Sequence, residues 1–284
     1  MIAQNFEYTA ARTLDEAIAQ VAAGAKPLAG GMSLIPMMKL RLAAPEHVVD
    51  IGRLKDLNYI REAGGAIHIG AATTHHDVES SALLRGKCPL LAETAAHIGD
   101  VQVRNMGTIG GSVAHADPSA DYPAAMQALE AKFVLKSSKG ERTVSAADFF
   151  IDTFATALDM GEIIREVIVP VEPQGVGTSY QKVVQPASGF AIVGVAARVA
   201  RSGGKIGMVR IGVTGLAGKS YRALEAEKAL EGKAGSSAEI QNAAALVAQG
   251  VDANADLHAS ADYRRHLAIV YAARALTAAL ARSA

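Results

Sequence analysis

Two glycine-rich runs carry the plainest chemical meaning in this 284-residue chain: Ala29-Gly30-Gly31-Met32-Ser33 and Thr108-Ile109-Gly110-Gly111-Ser112. Glycine lets a backbone approach a ligand closely and adopt positive φ, and N–H groups left free there receive phosphate oxygens. The first run lies between a short strand pattern and a helical one, which puts its amides and the Ser33 hydroxyl at a helix start. The second has Gly107, Gly110 and Gly111 with hydroxyls on both sides. Together they offer seats for the two phosphates of a dinucleotide, whereas a glycine pair alone more often marks an ordinary turn. No G-x-G-x-x-G follows a strand pattern and no phosphate-loop lysine motif occurs, so the commoner nucleotide folds have no support.

Other reactive side chains have plainer readings. Cys88 is the single cysteine, which excludes an internal disulfide and any cluster or zinc site built from several thiolates. Its apolar surroundings mark it as a buried structural thiol. His75-His76-Asp77 has no third or fourth ligand at a recognisable spacing and reads as a polar helix start. Asp117, next to Pro118, belongs to a turn. Lys182 falls on a strand pattern, where a lone lysine is ordinarily solvated. Tyr263-Arg264-Arg265-His266 opens the final helix and reads as packing, or a salt bridge between subunits, at least as well as a basic binding patch. No acid/base constellation is left to run a substrate half-reaction, so no catalytic residue and no metal ligand is assigned.

The elements that must position the two glycine runs alternate in type. Thr13-Leu14-Asp15-Glu16 predicts a capping box and a helix to about Ala23, ended by Gly24. A strand at 26–28, a helix at 34–40 and a strand at 48–51 complete an α/β unit over residues 1–57. Residues 58–172 read as a larger α+β unit, with strands at 66–70, 132–136 and 163–169 and helices near 78–84, 90–98 and 122–129. Pro170, Pro173, Gly175 and Gly177 mark a boundary. Residues 173–284 open with strands at 178–184, 190–199 and 205–214, the last two joined by a hairpin at Ser202-Gly203-Gly204. They close with Ala-rich helices at 222–230, 238–249 and 261–280, the last capped by Ser260.

Lys plus Arg and Asp plus Glu both number 28, so the formal charge is zero, and with no dense basic run the chain lacks the footprint of a nucleic-acid binder. The longest apolar stretch, 190–200, is broken by Gly194 and Arg198 and is too short to span a membrane, which takes roughly 20 residues. The amino terminus has neither a basic nor an apolar leader region, and the expectation is a cytoplasmic protein.

Three segments then resemble one family in order. They are Gly30-Gly31-Met32-Ser33-Leu34-Ile35-Pro36-Met37-Met38-Lys39, the run Gln102-Val103-Arg104-Asn105-Met106-Gly107-Thr108-Ile109-Gly110-Gly111-Ser112-Val113-Ala114-His115-Ala116-Asp117-Pro118-Ser119-Ala120-Asp121, and Ala261-Asp262-Tyr263-Arg264-Arg265. All look like the FAD-binding medium subunit of molybdenum hydroxylases, a family that includes carbon monoxide dehydrogenase and the xanthine dehydrogenase group. The similarity runs from Phe6 to the C-terminus.

The resemblance implies an α+β protein with a vanillyl-alcohol-oxidase-type FAD-binding fold, two N-terminal α/β subdomains plus a C-terminal antiparallel sheet and helices. It implies that Pro27, Leu28, Ala29, Gly30, Gly31, Met32, Ser33 and Leu34, with Thr108, Gly110, Gly111, Ser112 and His115, line the pyrophosphate and the nearby ribose or adenine. Asp121 would accept from a ribose or adenine donor, and Ile164 would give an apolar contact to flavin or adenine. Lys182 would stand near the flavin ring, where a cation stabilises the anionic reduced flavin and raises its potential. The family often has His or Thr where this chain has Met32. After Lys182 some members carry basic residues or a shielding aromatic, where this chain has Val183-Val184-Gln185-Pro186-Ala187-Ser188-Gly189-Phe190.

The implied partners are a large subunit with a molybdenum-pterin cofactor and a small subunit with two 2Fe-2S clusters, assembled as a dimer of heterotrimers. Electrons would leave the FAD to a quinone, a cytochrome, NAD or O2, with the complex in the cytoplasm or at the inner face of the membrane. Two rival readings stand beside this one: a free-standing flavin oxidase, and a non-catalytic scaffold subunit with decayed flavin loops, for which Met32 is the hint. The substrate of the complex stays open among carbon monoxide, a purine, an N-heterocycle and an aldehyde.

Overall fold

The structure, a computed structural model, describes residues 2–284. It opens with a parallel unit in which β1 (Glu7–Ala10), α1 (Leu14–Ala22), β2 (Lys26–Leu28), α2 (Leu34–Lys39) and β3 (His47–Asp50) follow one another. The sheet order β1-β3-β2 puts β3 in the centre, parallel to both neighbours. Ala17, Ile18 and Val21 recur at helical spacing and bury one face of α1 in a core shared with Val49, Ile51 and Leu57. Thr13 accepts the Glu16 amide at 3.1 Å, but the return bond of a capping box is displaced by one residue: Glu16 Oε2 accepts from the Arg12 amide at 2.8 Å. A complete box forms instead at Ser236 and Glu239.

The second unit holds β4 (Ile60–Ala63), β5 (Ala66–Gly70), α3 (His75–Ser80), α4 (Ala82–Lys87), α5 (Pro89–Ala96), α6 (Val101–Met106), α7 (Ile109–His115) and α8 (Tyr122–Ala128). After them come β6 (Lys132–Ser137), β7 (Gly140–Ser145), α9 (Ala146–Phe149), the short pair β8 (Phe150–Asp152) and β9 (Ala155–Thr156), and β10 (Ile163–Pro170). Five of these strands make an antiparallel sheet in the order β4-β5-β10-β6-β7. Ile67, Ile69, Phe133 and Val167 on the sheet and Leu84, Leu90, Leu91 and Ile109 on the helices fill its core.

Two readings of this region are corrected. The helix expected near 78–84 is two helices, because Ser81 leaves helical geometry and its side chain accepts the Leu84 amide at 3.3 Å to start α4. The segment around Gly107, Gly110 and Gly111 is less a loop than the junction of α6 and α7, with Thr108 as the N-cap of α7. β1, β4 and β7 escape sequence reading for one shared reason: each is a sheet edge, largely exposed, and so lacks the apolar alternation of a half-buried strand.

The third unit is a four-stranded antiparallel sheet, β11 (Gly177–Val184), β12 (Ala191–Ser202), β13 (Lys205–Thr214) and β14 (Tyr221–Arg222), followed by α10 (Leu224–Leu230), α11 (Ser237–Ala244) and α12 (Ala261–Arg282). Gly203 (φ 59°) and Gly204 (φ 77°) make the two-residue turn between β12 and β13, which closes on the Ser202–Lys205 pair. The helix expected over 222–230 begins later, since Tyr221 and Arg222 pair with β13 as an edge strand. The helix expected over 238–249 ends at Ala244, after which Leu246 and Val247 make tighter bonds to Ala243 and Ala244. α12 lies across β11 and β12. Tyr180 and Ala196 from this sheet join the core of the second unit, which welds the two together.

Candidate cofactor cavity

A cavity of about 920 Å³ runs between the three units, bordered by Val21 of α1, Ile164 of β10 and Phe190 before β12 among others. It lies near the top of the range of roughly 300–1,000 Å³ usual for ligand pockets, a size for a large cofactor. The two glycine runs meet side by side on its wall, a Cβ placed on Gly111 lying 4.0 Å, contact distance, from Ala29 Cβ.

Their amides differ. In the first run, between β2 and α2, no N–H from residues 29–33 donates to a protein acceptor among the described residues, and Ser33 makes no side-chain cap bond. Gly31 has φ 73°, and a Cβ on Gly30 would collide with the Met106 carbonyl, so both glycines are required by conformation or by contact. In the second run four amides are already spent, that of Ser112 on the Thr108 carbonyl (3.0 Å). Ile109 N donates to the Thr73 carbonyl (3.0 Å), Gly110 N to the Ala71 carbonyl (2.9 Å) and Gly111 N to Thr108 Oγ1 (3.1 Å). The expectation of free amides in both runs therefore fails for the second, because Thr108 caps α7 and the segment pairs with Thr74. What that run offers the cavity is close approach at Gly111 and the Ser112 hydroxyl.

Of the residues that the family resemblance assigns to the cofactor, every one but Lys182 borders this single cavity. His115, at the end of α7, packs its ring on Phe154 with centroids 5.0 Å apart, and burial lowers its pKa. Ile164 is buried where β10 bulges against β6. Asp121 precedes α8 and is held by two side chains of β11: Tyr180 Oη donates to Oδ1 at 2.5 Å and Lys182 Nζ to Oδ2 at 2.8 Å. Burial pushes the Asp121 carboxyl up to about 6, with Lys182 and Tyr180 pulling the other way. Lys182 stands behind the wall, with no exposed side-chain surface.

Sequence reasoning passed over Phe154 and His75 as cavity residues. Phe154 sits at positive φ (55°) in the tight β8–β9 connection, where no periodicity marks it. His75 does start α3, with Thr74 capping, yet its ring is buried on the cavity wall and its Nδ1 has no partner. Burial, and then the charge of Arg104, push it down to about 4, so it is neutral at pH 7. Asp117 accepts the Ser119 amide at 2.8 Å as a turn residue and also borders the cavity. Arg264 is buried and donates to the carbonyls of Ile192 and Gly215 and to Asp256, a packing role inside the chain. Among the described residues no group of three His, Cys, Asp or Glu is placed to hold a metal ion.

A parallel unit that offers free amides, joined to antiparallel sheets around a cavity of about 920 Å³, is the architecture of a protein that binds a large phosphate-bearing cofactor. Residues 4–172 match the FAD binding domain in molybdopterin dehydrogenase, and residues 178–279 match the CO dehydrogenase flavoprotein C-terminal domain. The chain is 42% identical to the carbon monoxide dehydrogenase medium chain of Hydrogenophaga pseudoflava over 100% of both proteins. It is 38% identical to the glyceraldehyde dehydrogenase medium chain of Sulfolobus acidocaldarius, covering 97% of this chain and 98% of that one. The solved carbon monoxide dehydrogenase from Hydrogenophaga pseudoflava that lacks the Mo-pyranopterin moiety of its cofactor superposes with a TM-score of 0.97, at 44% identity and complete coverage of both chains. The chain belongs to the family of FAD-binding medium subunits of molybdenum hydroxylases, and is an oxidoreductase subunit of that family. No helix among the described residues is long and apolar enough to cross a membrane.

Proposed function

We propose that the chain is the FAD-binding electron-transfer subunit of a heteromeric molybdenum hydroxylase. The observation that carries this reading is the set of free amides at 29–33 beside Gly111 on the wall of a cavity of about 920 Å³. Those amides and the Ser33 and Ser112 hydroxyls seat the pyrophosphate. Pro27, Leu28, Met32 and Leu34 flank it, Gly111 admits it closely, and His115 and Ile164 line its surroundings. Bound there, FAD would supply the chemistry by which electrons from two 2Fe-2S clusters of a small subunit reach an external quinone, cytochrome, NAD or O2. This chain's own residues bind, orient and exclude water, and none is assigned a proton-transfer role. Substrate oxidation belongs to a large subunit with the molybdenum-pterin cofactor, in a dimer of heterotrimers.

The range of relatives supports this division of labour: closely similar medium chains come from enzymes named for carbon monoxide and for glyceraldehyde. Expression of the chain with FAD, followed by its absorbance spectrum, tests the binding site. Purification of the native complex tests the assembly. A chain that takes up no flavin would leave the scaffold reading standing, and turnover of a substrate by the isolated chain would favour the free-standing oxidase.

A further inference from the structure

The Lys182 ammonium has three N–H donors and three acceptors: the His97 carbonyl at 2.8 Å, Asp121 Oδ2 at 2.8 Å and the Gly189 carbonyl at 2.6 Å. No donor is left for a ligand, and the side chain has no exposed surface. The acceptors come from three segments that border the same end of the cavity. His97 leads into Ile98 and Gly99, Asp121 is itself on the wall, and Gly189 stands on the wall between Ser188 and Phe190. Tyr180, on the same face of β11, grips the second Asp121 oxygen, and its ring meets the His97 imidazole edge-on at 5.6 Å. A charged donor in a dry site makes strong, directional bonds, and loss of one member leaves the other charge buried and uncompensated.

We propose that Lys182 is a positioning residue: without touching the flavin, it cross-links the three segments that close this end of the cavity and fixes the Asp121 carboxylate against it. This rests on the reading of the cavity as an FAD site, and it differs from a role in which the lysine charge acts on the ring directly. Because the three acceptors lie on separate segments, one ammonium sets the width of the cavity here.

FAD binding by the full chain, with the visible spectrum and reduction potential of the bound flavin, tests the proposal. Lys182→Met removes all three bonds and strands a carboxylate, so FAD affinity is expected to fall roughly tenfold or more, while the flavin that does bind keeps the wild-type potential. Asp121→Asn combined with Lys182→Met replaces the charged pair by neutral groups and is expected to recover part of the lost affinity. Wild-type affinity in Lys182→Met, a double variant no better than the single one, or a changed potential in either variant overturns the proposal; the last result would assign the ammonium a direct effect on the ring. If Lys182→Met fails to fold, the double variant decides through its potential, unchanged for a positioning residue and changed for a direct one. A wild-type chain that takes up no FAD would instead overturn the functional reading, before any variant is compared.

Discussion

Gly194 lies directly beneath the Tyr180 hydroxyl, so close that a Cβ on the glycine would collide with the phenol oxygen. In the register of β11 and β12, Gly194 faces Lys182, and the missing side chain there is what lets Tyr180 reach Asp121. Gly194→Ala is expected to displace the phenol and destabilise the chain by about 1–3 kcal/mol. Tyr180→Phe keeps the ring, loses one hydrogen bond, and is expected to cost about 1–2 kcal/mol. Urea unfolding of the two variants measures both, and wild-type stability in Gly194→Ala would contradict the collision.

Gly110 and Gly111 are adjacent, but their substitutions are expected to fail in different ways. A Cβ on Gly110 would collide with Ala71, so Gly110→Ala strikes the packing of α7 on the strand end and lowers stability by about 1–3 kcal/mol. A Cβ on Gly111 meets Thr108 Oγ1 at 2.8 Å and otherwise faces the cavity. Gly111→Val is therefore expected to cost mainly flavin occupancy. Absorbance at the flavin band and a thermal melt on the same samples separate the two outcomes.

His75 gives the chain an acid-sensitive point. Its folded-state pKa, about 4, lies below the value of about 6.5 in an unfolded chain. As pH falls below 6.5 the unfolded chain takes up a proton that the folded chain refuses, so stability held above 6.5 drains away until about pH 4, by up to roughly 3 kcal/mol. Urea midpoints at several pH values should show this slope in the wild type and a shallower one in His75→Gln. Parallel slopes would assign the acid sensitivity to other groups.

Cys88 is buried, and burial pushes its thiol up to about 12. A disulfide reagent at mildly alkaline pH is expected to leave the native chain unlabelled and to count one thiol per chain after unfolding. A labelled native thiol would show that the core around α4 and α5 opens readily.

The first glycine run was readable from sequence because all three of its requirements are local: a strand, a turn needing positive φ at Gly31, and a helix start. The second run was not readable in the same way. Two of its amides are claimed by Ala71 and Thr73, more than thirty residues earlier, and local pattern carries no record of such a claim. Lys182 is the same case on a larger scale, since its partners come from residues 97, 121 and 189. Strand periodicity alone made it a solvated lysine, and the family resemblance put it near the flavin; the fold buries it one layer behind the cavity. Ile164 and Asp121 carried no local signal either, and only the resemblance singled them out. Central strands such as β12 and β13 were legible from their apolar runs, while the exposed edge strands β1, β4 and β7 offered nothing to read.

Among the described residues nothing accepts from the amides of residues 29–33, whereas those of 109–111 hold α7 in place. Selection for a sound fold would keep the second run intact in any descendant, with or without a cofactor. In the first run the fold guards Gly30 by contact and Gly31 by conformation, and only activity guards the rest. A lineage that no longer needed the flavin could let Ala29, Met32 and Ser33 drift and still make abundant, well-folded, colourless protein, so these three positions are where loss of the electron-carrying role would leave its earliest trace.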